Sequence, residues 1–176
     1  MNEAAVRAAI TKDFAVSGDV VKGADNLSQQ THVLTIRVPD VLPGGGTADV
    51  AYVFGYKTKQ LIQVGVVWSK ATDTAMTPER LFSNGNILRA HFLEGGSYKG
   101  DTVITDAATK TGLLMFRGSD ADGHSTVLLL QGTLSAPANA TAADKDRRVL
   151  TPVSLDLFYL ADTKNPDVYR LAPGQF

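Results

Sequence analysis

The stretch that decides the fold reads Asp49-Val-Ala-Tyr-Val-Phe-Gly-Tyr56, Lys57-Thr-Lys-Gln60 and Leu61-Ile-Gln-Val-Gly-Val-Val-Trp68. After a polar gap, Thr77-Pro-Glu-Arg80 opens a further segment that Gly95-Gly96 closes. In the first run Val50, Tyr52, Phe54 and Tyr56 share one face of a strand, and Ala51, Val53 and Gly55 the other. In the second, Ile62, Val64, Val66 and Trp68 oppose Leu61, Gln63, Gly65 and Val67. Neither run has a cleanly polar face, so both read as central strands of a sheet covered on two sides or nearly so. Lys57 and Lys59 keep the connecting loop in water.

The segment over 77–94 reads as a helix. Thr77 is a good N-cap, Pro78 is pre-set for the first position, and Glu79 meets the positive end of the dipole. Leu81, Gly85, Leu88 and Phe92 recur at helical spacing and should face the sheet. Gly85 costs about 1 kcal/mol against alanine in mid-helix, which is explicable if the helix must press closely on what lies beneath. Gly95-Gly96 supplies a left-handed stop.

Working outward, a short helix is expected over Asn2 to Asp13, capped by Asn2, with a thin stripe through Val6, Ala9 and Ile10. Ala15 to Gly23 reads as a weak strand and Gly23 to Gln30 as turn material. His32 to Val38 is a clear strand that Pro39 ends. Pro43-Gly-Gly-Gly-Thr47 is a flexible connector; the Gly-Lys-Ser/Thr of a phosphate loop is missing. Past the second helix, strands are expected over Tyr98 to Thr105, Leu113 to Phe116, Thr126 to Leu134 and Val153 to Ala161. Turns fall at Asp106 to Lys110 and at Asp122-Gly123. Pro137 to Lys145 is an alanine-rich loop with room for a helical turn, and Val168 to Leu171 adds a short edge.

The expected architecture is α+β: one domain over 1–176, with a curved antiparallel sheet of seven or eight strands and two helices packed on one face. The order helix, four strands, helix, four strands suggests an internal α-β4 duplication, although the halves share little sequence. The hairpin-then-helix pattern over 49–96 resembles many small bacterial envelope domains and carries no functional motif, so it implies no site residue.

Composition excludes more than it selects. The chain has 176 residues, 44% hydrophobic and 20% charged, a globular balance. Its formal net charge of −1 gives no basic excess for nucleic acid or an anionic membrane. No apolar run approaches the roughly 20 residues of a membrane-spanning helix. The absence of cysteine removes disulfides, thiolate nucleophiles and thiolate metal sites. Together with the alanine, glycine and threonine content, this fits a periplasmic or secreted chain whose signal peptide has been removed; a cytoplasmic location fits almost as well.

Motifs for chemistry are weak. His32, His91 and His124 have no His-x-x-x-His spacing, so ordinary surface histidines are expected. Gly118-Ser-Asp-Ala-Asp-Gly123 matches half of a calcium loop, but the first and twelfth positions would be Gly118 and Leu129, which leaves a plain hairpin turn. Ser119, Asp122 and His124 are close in sequence without implying triad geometry. No Gly-x-Ser-x-Gly elbow and no paired acid and base are present. No catalytic residue, metal site or cofactor is assigned. Tyr52, Tyr56, Trp68 and Tyr98 are the candidate binding residues: an aromatic patch for a protein, peptide or lipid, or simply core. The expected function is a non-enzymatic binding or accessory domain of the bacterial envelope. The alternative is an enzyme whose site assembles from scattered residues such as His91, Asp101 and Tyr98. An apolar contact surface is expected on the sheet side away from the helix at 77–94.

Overall fold

The computed structural model describes residues 1–137, 148–171 and 174. Helix α1 (Glu3–Phe14) precedes strands β1 (Lys22–Asn26), β2 (Thr31–Val38), β3 (Ala48–Phe54) and β4 (Leu61–Ser69). Helix α2 (Pro78–Glu94) precedes β5 (Ile104–Ala108), β6 (Gly112–Ser119), β7 (Ser125–Ser135) and β8 (Val149–Leu160). One open eight-stranded antiparallel sheet runs in the order β1-β2-β3-β4-β8-β7-β6-β5. Each α-β4 unit forms a meander, and the two meet last strand to last strand, so the halves repeat one topology about the β4–β8 seam. The expected α+β class and α-β4 repeat are both present.

Register explains how the sheet acquires its core. Strand neighbours line up as Phe116, Leu128, Leu157, Val66, Val50 and Ile36 from β6 across to β2. All six are buried, and each such side chain contributes about 1.5–3 kcal/mol of transfer free energy. Leu130, Leu155 and Trp68 form a parallel row on the same face. Both helices cover this face. Val6 and Ile10 of α1, and Leu81 and Phe92 of α2, join one core cluster with it.

The cap chemistry read from sequence is realised. Asn2 Oδ1 accepts from Ala5 N, and Thr77 Oγ1 accepts from Arg80 N. Gly95 stays right-handed and Gly96 takes the left-handed turn, at φ 63°. Leu81, Gly85 and Phe92 are buried, as is Asn84; Leu88 is half-buried against the core.

Several boundaries differ from expectation. The segment read as a weak strand over Ala15 to Gly23 begins with a left-handed Ala15 and a 3-10 turn at Gly18–Val20. The strand lies at Lys22–Asn26 instead, because it is held by its register with Thr31–Thr35 and not by its own apolar content. Tyr98 precedes a 3-10 turn at Gly100–Thr102, and β5 then continues through Asp106, where a turn was expected. Asp106 has φ 54°, a local irregularity within that edge strand. Val168 to Leu171 forms no strand; Tyr169 N donates a single bond to Gln29 O. Residues 138–145 of the alanine-rich loop lie outside the described residues.

The glycine connector is pinned rather than free. Asn84 Nδ2 donates to Gly45 O at 2.9 Å, and Arg80 donates to Gly44 O at 2.6 Å. Asp73 accepts from Thr47 N at 3.1 Å. The loop is thereby clamped to the first turns of α2.

Candidate functional site

One row of the helix-bearing face is left partly uncovered. It runs Gly118, Thr126, Tyr159, Val64, Tyr52 and Leu34. Above its centre lies a groove of about 390 Å³ floored by Leu61, Val64, Thr126 and Tyr159, with Tyr98, Asp120 and His124 at its margin. A bulge between Val53 and Phe54 turns Leu61 toward this side; its register partner is Phe54. Strict alternation from Val64 would not have placed Leu61 there.

Tyr98 forms one wall because Gly118 leaves room beneath it. A Cβ on Gly118 would meet the Tyr98 ring at 2.8 Å. The Tyr98 hydroxyl donates to Thr126 Oγ1 at 2.9 Å, and its ring packs edge-on against Phe116 at 5.0 Å. Phe92 of α2 lies 6.3 Å from Tyr159 and 5.3 Å from Phe116, ring to ring. Burial raises the Tyr159 phenol above the ordinary tyrosine range, and the nearby Tyr98 adds to that. Tyr52 is shifted the same way, by burial first and then by Asp13 at the end of α1.

The rim is polar. His124 Nδ1 lies 3.0 Å from Asp120 Oδ2, while Asp120 Oδ1 accepts from the backbone N–H groups of Asp122 and His124, each at 2.9 Å. Desolvation pushes the Asp120 carboxyl up; hydrogen bonds from the His124 ring and from these N–H groups outweigh it, so the net shift is downward. Ser119 and Ser125 pair their hydroxyls at 2.7 Å. Asp120, Asp122 and His124 bring one ligand atom each within 4.8 Å of one another, the cluster that could hold a cation. The carboxylate best placed for it, Asp120, already has both oxygens engaged.

The four sequence candidates divide. Tyr98 lines the groove, and Tyr52 stands one strand beyond it as the register partner of Val64. Trp68 is 1% exposed, inside the core, and its indole N–H has no partner among the described residues. Tyr56 lies at the hairpin loop, edge-on to Tyr169 at 5.4 Å with the Lys59 ammonium 5.8 Å from its ring. The four therefore do not form one patch. Tyr159, Val64, Leu61 and Thr126 were missed; their signal was the register between β4, β7 and β8, which no single strand carries. Of the residues named for an enzyme, His91 is exposed with its ring 5.6 Å from that of Phe92, and Asp101 is exposed on the 3-10 turn.

A second apolar cleft of about 630 Å³ lies at the other end of α2, lined by Phe82, Leu113, Leu134 and Leu150 among others. No helix among the described residues is long and apolar enough to cross a membrane. The chain has no significant match to a protein-family model, a curated protein or a solved structure.

Proposed function

We propose that the chain is a non-enzymatic binding module that takes an apolar segment of a partner, a peptide side chain or a lipid acyl chain, into the groove over the β4–β8 seam. The observation that carries this reading is the groove itself. Its floor is mainly apolar and aromatic, its volume of about 390 Å³ lies in the range of small-ligand sites, and its polar side chains are few: Thr126 on the floor, with Gln63, Ser97, Ser125, Asp120 and His124 around it. In this reading Tyr98 and Tyr159 provide rigid contact area at low entropic cost, and the hydroxyls of Tyr98 and Thr126 satisfy each other without a ligand. The surface differs from the one expected on the bare side of the sheet: the cavity opens beside the helices. An envelope setting is consistent with the lack of cysteine and is part of the same proposal.

The enzyme alternative has one observation behind it, the hydrogen-bonded His124–Asp120 pair at the rim. That pair closes the β6–β7 hairpin, which accounts for it without chemistry. A dye assay separates the readings. Tyr159→Asp places a carboxylate on the groove floor and should weaken binding of an environment-sensitive apolar dye by about tenfold or more, 1.4 kcal/mol per decade. Phe82→Asp, at the second cleft, should leave that site's affinity unchanged. Dye binding indifferent to Tyr159→Asp would remove the groove from the account.

A further inference from the structure

The sequence puts a glycine directly after an asparagine or aspartate twice, at Asn84-Gly85 and at Asp122-Gly123. Glycine has no side chain to shield its backbone nitrogen, and that nitrogen is one five-membered ring closure from the preceding side-chain carbonyl carbon. The fold treats the two places oppositely. Asn84 is 3% exposed on α2, and its Nδ2 donates to Gly45 O at 2.9 Å. Gly85 lies in mid-helix, pressed against Met115 and Leu155. Asp122 and Gly123 are exposed at the tip of the β6–β7 hairpin. The Asp122 carboxylate makes no hydrogen bond or ion pair among the described residues. Gly123 has φ 89°, and open space surrounds the position its Cβ would take. Its N–H makes one long bond, to Asp120 O at 3.3 Å.

We infer that Asp122-Gly123 is a modification site: Asp122 isomerises spontaneously to isoaspartate, and the free α-carboxylate so formed is a substrate for carboxyl methyltransfer of the repair type. The Gly123 nitrogen attacks Asp122 Cγ in its carboxylic acid form. A C–N bond forms, the Cγ–OH bond breaks, and the amide proton leaves with the hydroxyl as water. One water then opens the five-membered imide at the main-chain carbonyl carbon of Asp122, so that the backbone runs through Cβ and Cγ. The net composition is unchanged, and no oxidant or cofactor takes part. Both residues line a polar pocket of about 340 Å³ with Lys99, Thr102 and Asp162, so water has access to the imide.

The extra backbone methylene falls where the turn is most closely held. Asp120 Oδ1 accepts from the N–H groups of Asp122 and His124, each at 2.9 Å, and Oδ2 lies 3.0 Å from His124 Nδ1. Lengthening the chain between those two donors pulls one of them off Asp120. Asp120 and His124 also stand at the margin of the groove, so the change reshapes that margin. The covalent product forms whether or not the groove takes a ligand.

The native protein, aged for weeks at neutral pH, is labelled by a protein isoaspartyl methyltransferase with tritiated S-adenosylmethionine and mapped peptide by peptide. Label should fall on the peptide holding residue 122 and not on the one holding residue 84. Asp122→Glu keeps the charge at an exposed position but needs a six-membered imide, so its label should vanish. Asp122→Asn, which expels ammonia instead of water, should gain label faster than the wild type. Ageing in denaturant removes α2, and the residue-84 peptide should then be labelled too. An unlabelled residue-122 peptide in the folded wild type would overturn the inference. So would a residue-84 peptide labelled as strongly in the folded protein, or label on the residue-122 peptide that survives Asp122→Glu.

Discussion

Gly85 of α2 sits directly over Met115 of β6. A Cβ at residue 85 would overlap the Met115 sulfur, approach its methyl at 2.9 Å and meet Leu155 Cδ1 at 3.2 Å. The helix approaches the sheet at the distance that hydrogen allows, and Met115, 1% exposed, fills the space beneath. Gly85→Leu should therefore destabilise the fold by on the order of 1–3 kcal/mol through overpacking, despite the gain in helix propensity. Adding Met115→Ala should recover part of that loss, so the pair couples by more than about 0.5 kcal/mol. Thermal melts showing no loss for Gly85→Leu, or strict additivity, would mean that another face of α2 meets the sheet.

The C-terminal segment closes the β3–β4 hairpin through one carboxylate. Asp167 accepts from the Thr58 hydroxyl at 2.6 Å and from the N–H groups of Thr58 and Lys57 at 2.8 and 3.0 Å. The Thr58 hydroxyl, then the two N–H groups, hold the Asp167 carboxyl below the usual range. A depressed carboxylate contributes stability above its unfolded value of about 3.9 and loses it as pH falls through the folded value. Amide protection at Lys57 and Thr58 should hold at pH 5 (the value is on the order of one unit above the unfolded midpoint) and be lost in stronger acid. Asp167→Asn should remove it at every pH. An Asp167 carboxyl that titrates at or above about 3.9 by NMR would contradict this.

The β6–β7 turn should not bind calcium specifically. Calcium takes six to eight oxygens. The cluster here offers two carboxylates and an imidazole, and Asp120 already caps the turn and holds His124. Calorimetry with millimolar calcium, the range in which weak extracellular sites fill, should be silent. A saturable signal abolished by Asp120→Ala would reverse this.

What could be read from the chain depended on how locally it was written. The caps at Asn2 and Thr77, the Gly96 stop and the alternation of Val50, Tyr52 and Phe54 in β3 are local signals, and the structure has each of them. Strand β1 was displaced because Lys22–Asn26 carries no apolar pattern and exists only through its pairing with β2. Leu61 was assigned to the wrong face because a bulge opposite Phe54 breaks a period that sequence alone assumes to be unbroken. The groove was hidden for a related reason: its members come from β4, β7, β8 and the loop after α2, and only register brings them together. Trp68 looked like a binding aromatic, and at 1% exposure it is core. A single tryptophan on a two-sided apolar strand reads the same way in either role.

Chemical-shift mapping with a small apolar probe puts to the test the claim that the groove over the β4–β8 seam is the binding surface. Saturable shifts should centre on Leu61, Val64, Tyr98, Thr126 and Tyr159, with His124 at their border and Trp68 unmoved. Shifts centred instead on Phe82 and Leu134, or no saturable shift anywhere, would contradict the claim.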